Sequence, residues 1–303
     1  MQKVAVAKGV FSDSGVMKFS DLPRTEEEAV AFLQLHGILP VQRICPNGHN
    51  AKLYFVNRIH WKCNVNTCRK KVSLRKDTWF INTRLPFVTA VQFLYSWAFE
   101  LTSIKWCKRE LGLNKNTVTD WNSYMRDVCV AAFKKKTAKI GGDGFIVEVD
   151  ESLFTRRKNN AGRVLPQQWI FGGICRETSE CFVVTVEDRS AATLLAAIKE
   201  HVKEGSTIYS DSWRGYQTTE LDQAHFKHVK VNHRYNFVDP NTGVHTQNVE
   251  RMWGSAKWRN KRHRGTARHH LESYLAEFAW RQQLGDKDPF DAILDAIKMY
   301  LPP

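Results

Sequence analysis

Phe145-Ile-Val-Glu-Val-Asp-Glu-Ser152 decides how this chain folds. Phe145, Val147 and Val149 alternate with Glu148 and Asp150, the two-residue period of a strand with one buried face. Working outward, Trp169 to Arg176 and Cys181 to Glu187 read as two further strands joined by a turn at Glu177 to Glu180. Ala191 to Glu204 carries Leu194, Leu195, Ile198 and Val202 at helical spacing. Thr207 to Ser210 is a short strand ending at Asp211, and Lys227 to Asn232 is another. Helices are expected at about 246–262, 268–283 and 289–300. This order predicts an α/β core, a mixed sheet with flanking helices.

Three acids occupy informative places on that core. Asp150 lies on its first strand, Asp211 at the end of the strand after the crossover helix, and Glu250 near a helix start 39 positions later. In open sheets functional groups gather where the topology switches, so Asp150 and Asp211 should be neighbours, with the Glu250 helix across the same edge. Two like charges 4 Å apart repel by roughly 4 kcal/mol at an effective dielectric near 20, so converging carboxylates take up protons or bind cations. Hard oxygen ligands favour Mg²⁺ or Mn²⁺, and two such ions suit phosphodiester chemistry. Glu148, Glu151 and Asp188 lie nearby as competing acids. Lys257, seven positions after Glu250, falls on the same helical side and could reach a phosphate.

Charge points to the partner. The chain carries 45 Lys and Arg against 31 Asp and Glu, a formal +14. Arg43 to Lys76 holds nine Lys or Arg and no acid. Arg251 to His270 holds seven, with three His and again no acid. Such stretches suit phosphate contact and a nucleic-acid partner, and Arg259, Lys261, Arg262 and Arg264 are candidate DNA contacts. Met1 to Gly9 lacks the continuous apolar core of a signal peptide, and Phe87 to Leu101 is too short and interrupted to span a membrane. Seven cysteines, an odd count, argue for a reducing compartment.

Residues 1–20 carry little pattern and are expected to be flexible. Thr25 and Glu28 form a capping-box signature before a short helix that ends near Gly37. Cys45 and His49, then Cys63 and Cys68, give C-x3-H and C-x4-C pairs beside strand-like Leu53 to Val56 and Ile59 to Trp61. Two close pairs of such ligands suit one tetrahedral Zn²⁺; His60 and His36 are rivals to His49. Cys107, Cys129, Cys175 and Cys181 read as packed core residues. Ser103 to Leu111, the break Gly112 to Asn114, and Asn116 to Val130 read as a helix-turn-helix. Lys115, Asn116, Thr117 and Thr119 would open its second helix, where bases are read. Lys134 to Gly144 reads as a linker.

Val147-Glu-Val-Asp-Glu-Ser152, Asp188-Arg-Ser190, Ile208-Tyr-Ser-Asp-Ser-Trp213, Val231-Asn-His233, Asn236-Phe-Val-Asp-Pro240 and His245-Thr-Gln-Asn-Val-Glu250 together resemble ISXO2-like transposases. That group is shared by bacterial IS1595-type insertion sequences and eukaryotic Merlin elements. The likeness covers roughly residues 40–285. It implies a ribonuclease-H-like DDE transposase with Asp150, Asp211 and Glu250 as its acids, Asn248 being a rival third ligand. It also implies a zinc ribbon around Cys45, whose usual first pair is C-x2-C. The expected organisation is an amino-terminal segment (1–40), a zinc ribbon (41–82), a helix-turn-helix region (83–140) and a catalytic domain (141–303). The expected activity is binding of terminal inverted repeats, DNA cleavage and strand transfer by a dimer or larger assembly. A DNA-binding protein without catalysis and a nuclease without joining are the alternatives. The C-x3-H pair leans towards a eukaryotic host and the nucleus, with the nucleoid as the bacterial counterpart.

Overall fold

The computed structural model describes residues 17–56, 58–135, 139–154, 168–231, 245–262 and 268–300. Two compact units emerge: Met1–Val128 with Asp286–Pro303, and Cys129–Gly285.

In the first unit, helix α1 (Glu26–Leu35) starts at the capping box expected of it. The Thr25 hydroxyl accepts the Glu28 N–H at 3.2 Å, and the Glu28 carboxylate accepts the Thr25 N–H at 3.3 Å. An antiparallel sheet follows, β1 (Arg43–Ile44), β2 (Asn50–Tyr54), β3 (His60–Cys63) and β4 (Lys71–Ser73), in that spatial order. Strand β2 lies earlier than the apolar run Leu53 to Val56 suggests. Tyr54 pairs with His60, so Phe55 and Val56 fall in the turn and stay 38% and 63% exposed. The pairing of Ala51 with Cys63 sets this register, and the run has no core to enter.

Helices α2 (Phe87–Ala98), α3 (Ile104–Leu111) and α4 (Lys115–Lys135) come next. The Glu26 carboxylate accepts the Phe87 and Val88 N–H groups at 3.1 and 2.9 Å, closing the α2 amino terminus. Trp121 of α4 packs edge-on against Trp79 and Phe93, with ring centroids 5.6 and 5.5 Å away. The last helix, Pro289–Met299, belongs to this unit: Phe290 stacks on Phe32 of α1 at 6.0 Å.

The second unit runs β5 (Ile146–Leu153), β6 (Trp169–Cys175), β7 (Cys181–Val186), α5 (Ala191–His201), β8 (Thr207–Asp211), α6 (Thr218–Gln223), β9 (Lys227–Val231), α7 (Gln247–Arg262) and α8 (Arg268–Gln282). The short helix α6 was not expected; at 6 residues it is too brief to show a period. Strand order is β7-β6-β5-β8-β9, with β5, β6 and β7 antiparallel and β5, β8 and β9 parallel. This is the ribonuclease-H-like fold, as the sequence implied.

The sheet has two buried faces. Val147 and Val149 join Phe171, Cys175, Phe182 and Ile208 beneath Leu194 and Ile198 of α5. The opposite face carries Ile170, Cys181 and Val183 beneath Val249, Met252, Trp253 and Ala256 of α7, with Leu271 and Leu275 of α8. Alternation in β5 therefore turns Glu148 and Asp150 to the α7 side.

Candidate catalytic and metal-binding sites

Parallel pairing of β5 with β8 matches Ile146 with Thr207, Val147 with Ile208 and Glu148 with Tyr209. The pairing ends there, and Asp150 and Asp211 lie two residues further along these neighbouring strands, near enough for the Asp211 charge to act on Asp150. Across the other edge of β5, Asp150 pairs with Gly172. A Cβ on Gly172 would stand 2.8 Å from the Trp253 ring and 2.9 Å from the Met252 methyl, so the missing side chain is what lets α7 lie against the sheet here. Glu250 sits in the first turn of that helix, its N–H bonded to the Thr246 carbonyl at 3.2 Å. We expect Gly172→Ala to lower the melting temperature through about 1–3 kcal/mol of overpacking; an unchanged melt would contradict the close approach.

Burial, followed by the charges of Glu151, Asp211 and Glu250, pushes the Asp150 carboxyl up to about 7. Asp211 accepts the Trp213 N–H at 2.9 Å. Glu250 is exposed, Asp150 and Asp211 half-buried. Lys257, one turn beyond Trp253, holds its ammonium 5.7 Å from the centre of the Phe154 ring.

The neighbouring acids separate by environment. Glu151 turns to the α5 side, fully buried, with Arg189 at 3.4 Å. Asp188 accepts the Ser190 N–H and the Thr193 hydroxyl at 2.9 and 2.8 Å, at the entry to α5. Glu148 is wholly buried and accepts the Asn248 and Val249 N–H groups at 2.9 and 3.1 Å. By sequence alone it is a competing acid. The Asn248 side chain donates its Nδ2 to that carboxylate at 2.8 Å.

In the first unit, Cys45, His49, Cys63 and Cys68 converge. Among the described residues this is the set whose ligand atoms all lie within 4.8 Å of one another. Cys45 Sγ is 3.6 Å from Cys68 Sγ and 3.7 Å from His49 Nδ1, and Cys63 Sγ is 3.6 Å from that nitrogen. Metal–ligand bonds of about 2.0–2.3 Å in a tetrahedron demand edges of this length, so the set can hold one metal ion. Burial works to raise the Cys45 thiol, yet backbone hydrogen bonds at His49 and Asn47 prevail and bring it down to about 7. Asn47 also donates to Cys68 Sγ at 3.2 Å. His60 instead holds the Arg58 carbonyl at 2.6 Å, and His36 packs on Phe32.

Residues 141–283 match the family model of the ISXO2-like transposase domain. A Haemophilus influenzae protein described as an uncharacterized transposase-like protein is 33% identical over 100 residues, which is 33% of this chain and 78% of that protein. The chain belongs to the ISXO2-like transposase family. Similar solved structures include a chain of the simian T-cell lymphotropic virus intasome in complex with the PP2A regulatory subunit B56 gamma. It is 14% identical, with TM-score 0.32 over 47% of this chain and 49% of that one, so the match spans about half of that protein. The integrase catalytic core of HTLV-2 in complex with magnesium is 12% identical, with TM-score 0.29 over 46% and 84%.

The transposase-domain match takes in Asp150, Asp211 and Glu250 and excludes both the Cys/His set and α3–α4. Those two helices are separated by the break at Gly112 to Asn114 that the sequence suggested. Ser103 caps α3 by accepting the Trp106 N–H at 3.2 Å, and Gly112 ends it at φ +65°. The Asn114 side chain accepts the Thr117 N–H at 3.0 Å, so α4 opens at Lys115. Lys115, Asn116 and Thr119 are exposed and Thr117 half-buried. The side chains of Arg259, Lys261 and Arg262, all of Arg264, and the stretch 232–244 with its Asn236 to Pro240 motif lie outside the described residues. Among the described residues no helix is long and apolar enough to cross a membrane.

Proposed function

We propose that this chain is an active DNA transposase that cuts the ends of a mobile element and joins the freed 3′-hydroxyls to target DNA. The observation that supports it most is that Asp150 and Asp211 lie just beyond the paired positions of adjacent parallel strands, on a sheet packed by the helix whose first turn carries Glu250. Burial and three neighbouring negative charges leave Asp150 at about 7, the mark of a site built for added positive charge. The donors are hard oxygens and fit Mg²⁺ or Mn²⁺. What two such ions supply when bound is activation of water or a 3′-hydroxyl and neutralisation of the phosphate oxygens.

The chain's own residues then do the rest. Asp150 and Asp211 present oxygens from a rigid ladder, and Glu250 approaches from α7. Trp253 and Met252 seat that helix on Gly172, and Lys257, one turn on, offers a cation to a nearby phosphate. Zn²⁺ at Cys45, His49, Cys63 and Cys68 would hold the small sheet as a zinc ribbon. Lys115, Asn116, Thr117 and Thr119 at the start of α4 would contact the terminal inverted repeats, with Arg259, Lys261, Arg262 and Arg264 adding phosphate contacts. Two ends have to be joined in one event, so a dimer or larger assembly on DNA is part of the reading. The working compartment is the nucleus in a eukaryotic host or the nucleoid in a bacterial one.

The test is incubation with DNA ends taken from the flanks of its own reading frame, a target plasmid and Mg²⁺ or Mn²⁺. Cleaved ends covalently joined to the plasmid are expected. Cleavage without joining would reduce the reading to a nuclease. Tight binding of those ends with no cut in either ion would replace it with a DNA-binding protein that keeps the fold.

A further inference from the structure

Glu148 is a carboxylate sealed from solvent, with 0% of its side chain exposed, and the chemistry assigned to the acids does not use it. Every part of it is engaged. One oxygen accepts the backbone N–H groups of Asn248 and Val249 at 2.9 and 3.1 Å. The other accepts Asn248 Nδ2 at 2.8 Å and Arg176 Nε at 2.5 Å, and His245 Nδ1 stands 3.6 Å from it. Arg176 donates onward to the His245 carbonyl at 2.6 Å and lies 4.7 Å over the Tyr209 ring of β8. The carboxylate thus occupies the amino-terminal pole of α7, where free N–H groups and the helix dipole favour negative charge.

Its neighbours in the chain give that cap a purpose. Glu148 and Asp150 are alternate residues of β5 on one face, roughly 6.6 Å apart. Val249, whose N–H Glu148 holds, immediately precedes Glu250. A single side chain therefore ties the strand of one acid to the helix turn of another. Packing alone does not call for this, because buried ion pairs seldom stabilise more than apolar residues of like size. Directional bonds to four donors fix a position more narrowly than apolar contact does.

We propose that Glu148 is a positioning residue for the metal centre, setting where Glu250 stands relative to Asp150 and so the affinity of the site for divalent cations. The inference rests on the transposase reading of that site. In the full-length protein, Mn²⁺ binding is followed by the electron paramagnetic resonance of free Mn²⁺, alongside Mn²⁺-dependent cleavage of end DNA and hydrogen exchange. In Glu148→Gln one acceptor oxygen becomes an NH₂ facing the Arg176 and Asn248 donors. The half-saturating Mn²⁺ concentration should rise about 10–100-fold, the range for partners that orient metal ligands. Cleavage at saturating Mn²⁺ should stay within about threefold of wild type, and the Asn248 and Val249 amides should lose protection. A role in folding alone would lower the active fraction and leave the half-saturating concentration where it was. If the Gln variant does not fold, Asn248→Ala removes a single donor and should shift Mn²⁺ affinity the same way by a smaller factor. Wild-type Mn²⁺ affinity in whichever variant folds overturns the proposal. Failure of the wild-type protein to bind Mn²⁺ in an Asp150-dependent way would instead sink the transposase reading beneath it.

Discussion

Asp150→Asn is expected to abolish the proposed cleavage of element ends, by about 10³-fold or more, and to leave binding to those ends intact. The amide retains shape but is a poor ligand for a hard cation. A second effect has the opposite sign. The Asp150 carboxyl sits at about 7 in the folded chain, against about 3.9 when unfolded. Between those values the folded state holds the extra proton, so the stability cost of the charge is absent below pH 4. It grows as pH rises and is complete above pH 7. Three pH units correspond to about 4 kcal/mol, and salt screening of the neighbouring acids brings a working figure to about 2–4 kcal/mol. Without added divalent ions, the Asn variant should therefore melt about 5–10 °C above wild type at pH 8. At pH 4 to 5 most of that gain should be gone. Calorimetry across this range checks it. A variant that cuts at the normal rate with Mg²⁺, or that melts below wild type at pH 8, contradicts the role given to Asp150.

If the Cys/His set holds the proposed zinc, stripping that metal, or replacing Cys63 with Ser, is expected to unfold the sheet β1–β4. Its strands run 2 to 5 residues, and from Arg43 to Leu74 only Cys45, Trp61, Cys63 and Leu74 are buried apolar residues. So small a core cannot offset the chain entropy of ordering those residues, whereas a structural zinc ion contributes about 10–16 kcal/mol. Cys63 is the telling position because it is 0% exposed and sits 3.6 Å from His49 Nδ1. Expected results are zinc in the purified protein by elemental analysis and fast hydrogen exchange across residues 43–73 once it is removed. Slow exchange there in metal-free protein would show the thiols to be ordinary core residues.

Local signals in the sequence translated well into structure. The Thr25–Glu28 capping box, the alternation through β5 and the hairpin turn after β6 are contacts between residues a few positions apart, so their chemistry is written in short words. The convergence of Cys45, His49, Cys63 and Cys68 was readable because residue type and spacing act together there. The approach of Asp150 and Asp211 was only half legible. Strand order implied neighbours, but register depends on how α5 and its loops span the crossover. Least legible was Glu148. Its partners lie 100 and 101 positions away, and nothing near it distinguishes a helix cap from the candidate catalytic acid two residues on. Likewise, chain order attaches the last helix to the catalytic core, while its apolar face, Phe290 included, packs within the first unit. Such long-range choices are made by surface complementarity.

Asp150 and Asp211 lie on neighbouring strands of one sheet, whereas Glu250 lies on a helix end tied to that sheet by the Glu148 carboxylate. The proposed site therefore has two jaws of different make, one set by the sheet and one by a single buried side chain. Ions of different radius, such as Mg²⁺ and Ca²⁺, would load the Glu148 bonds before they moved the strand-borne pair. The gap that separates a productive ion from an inhibitory one would then be tuned by residues that never touch either.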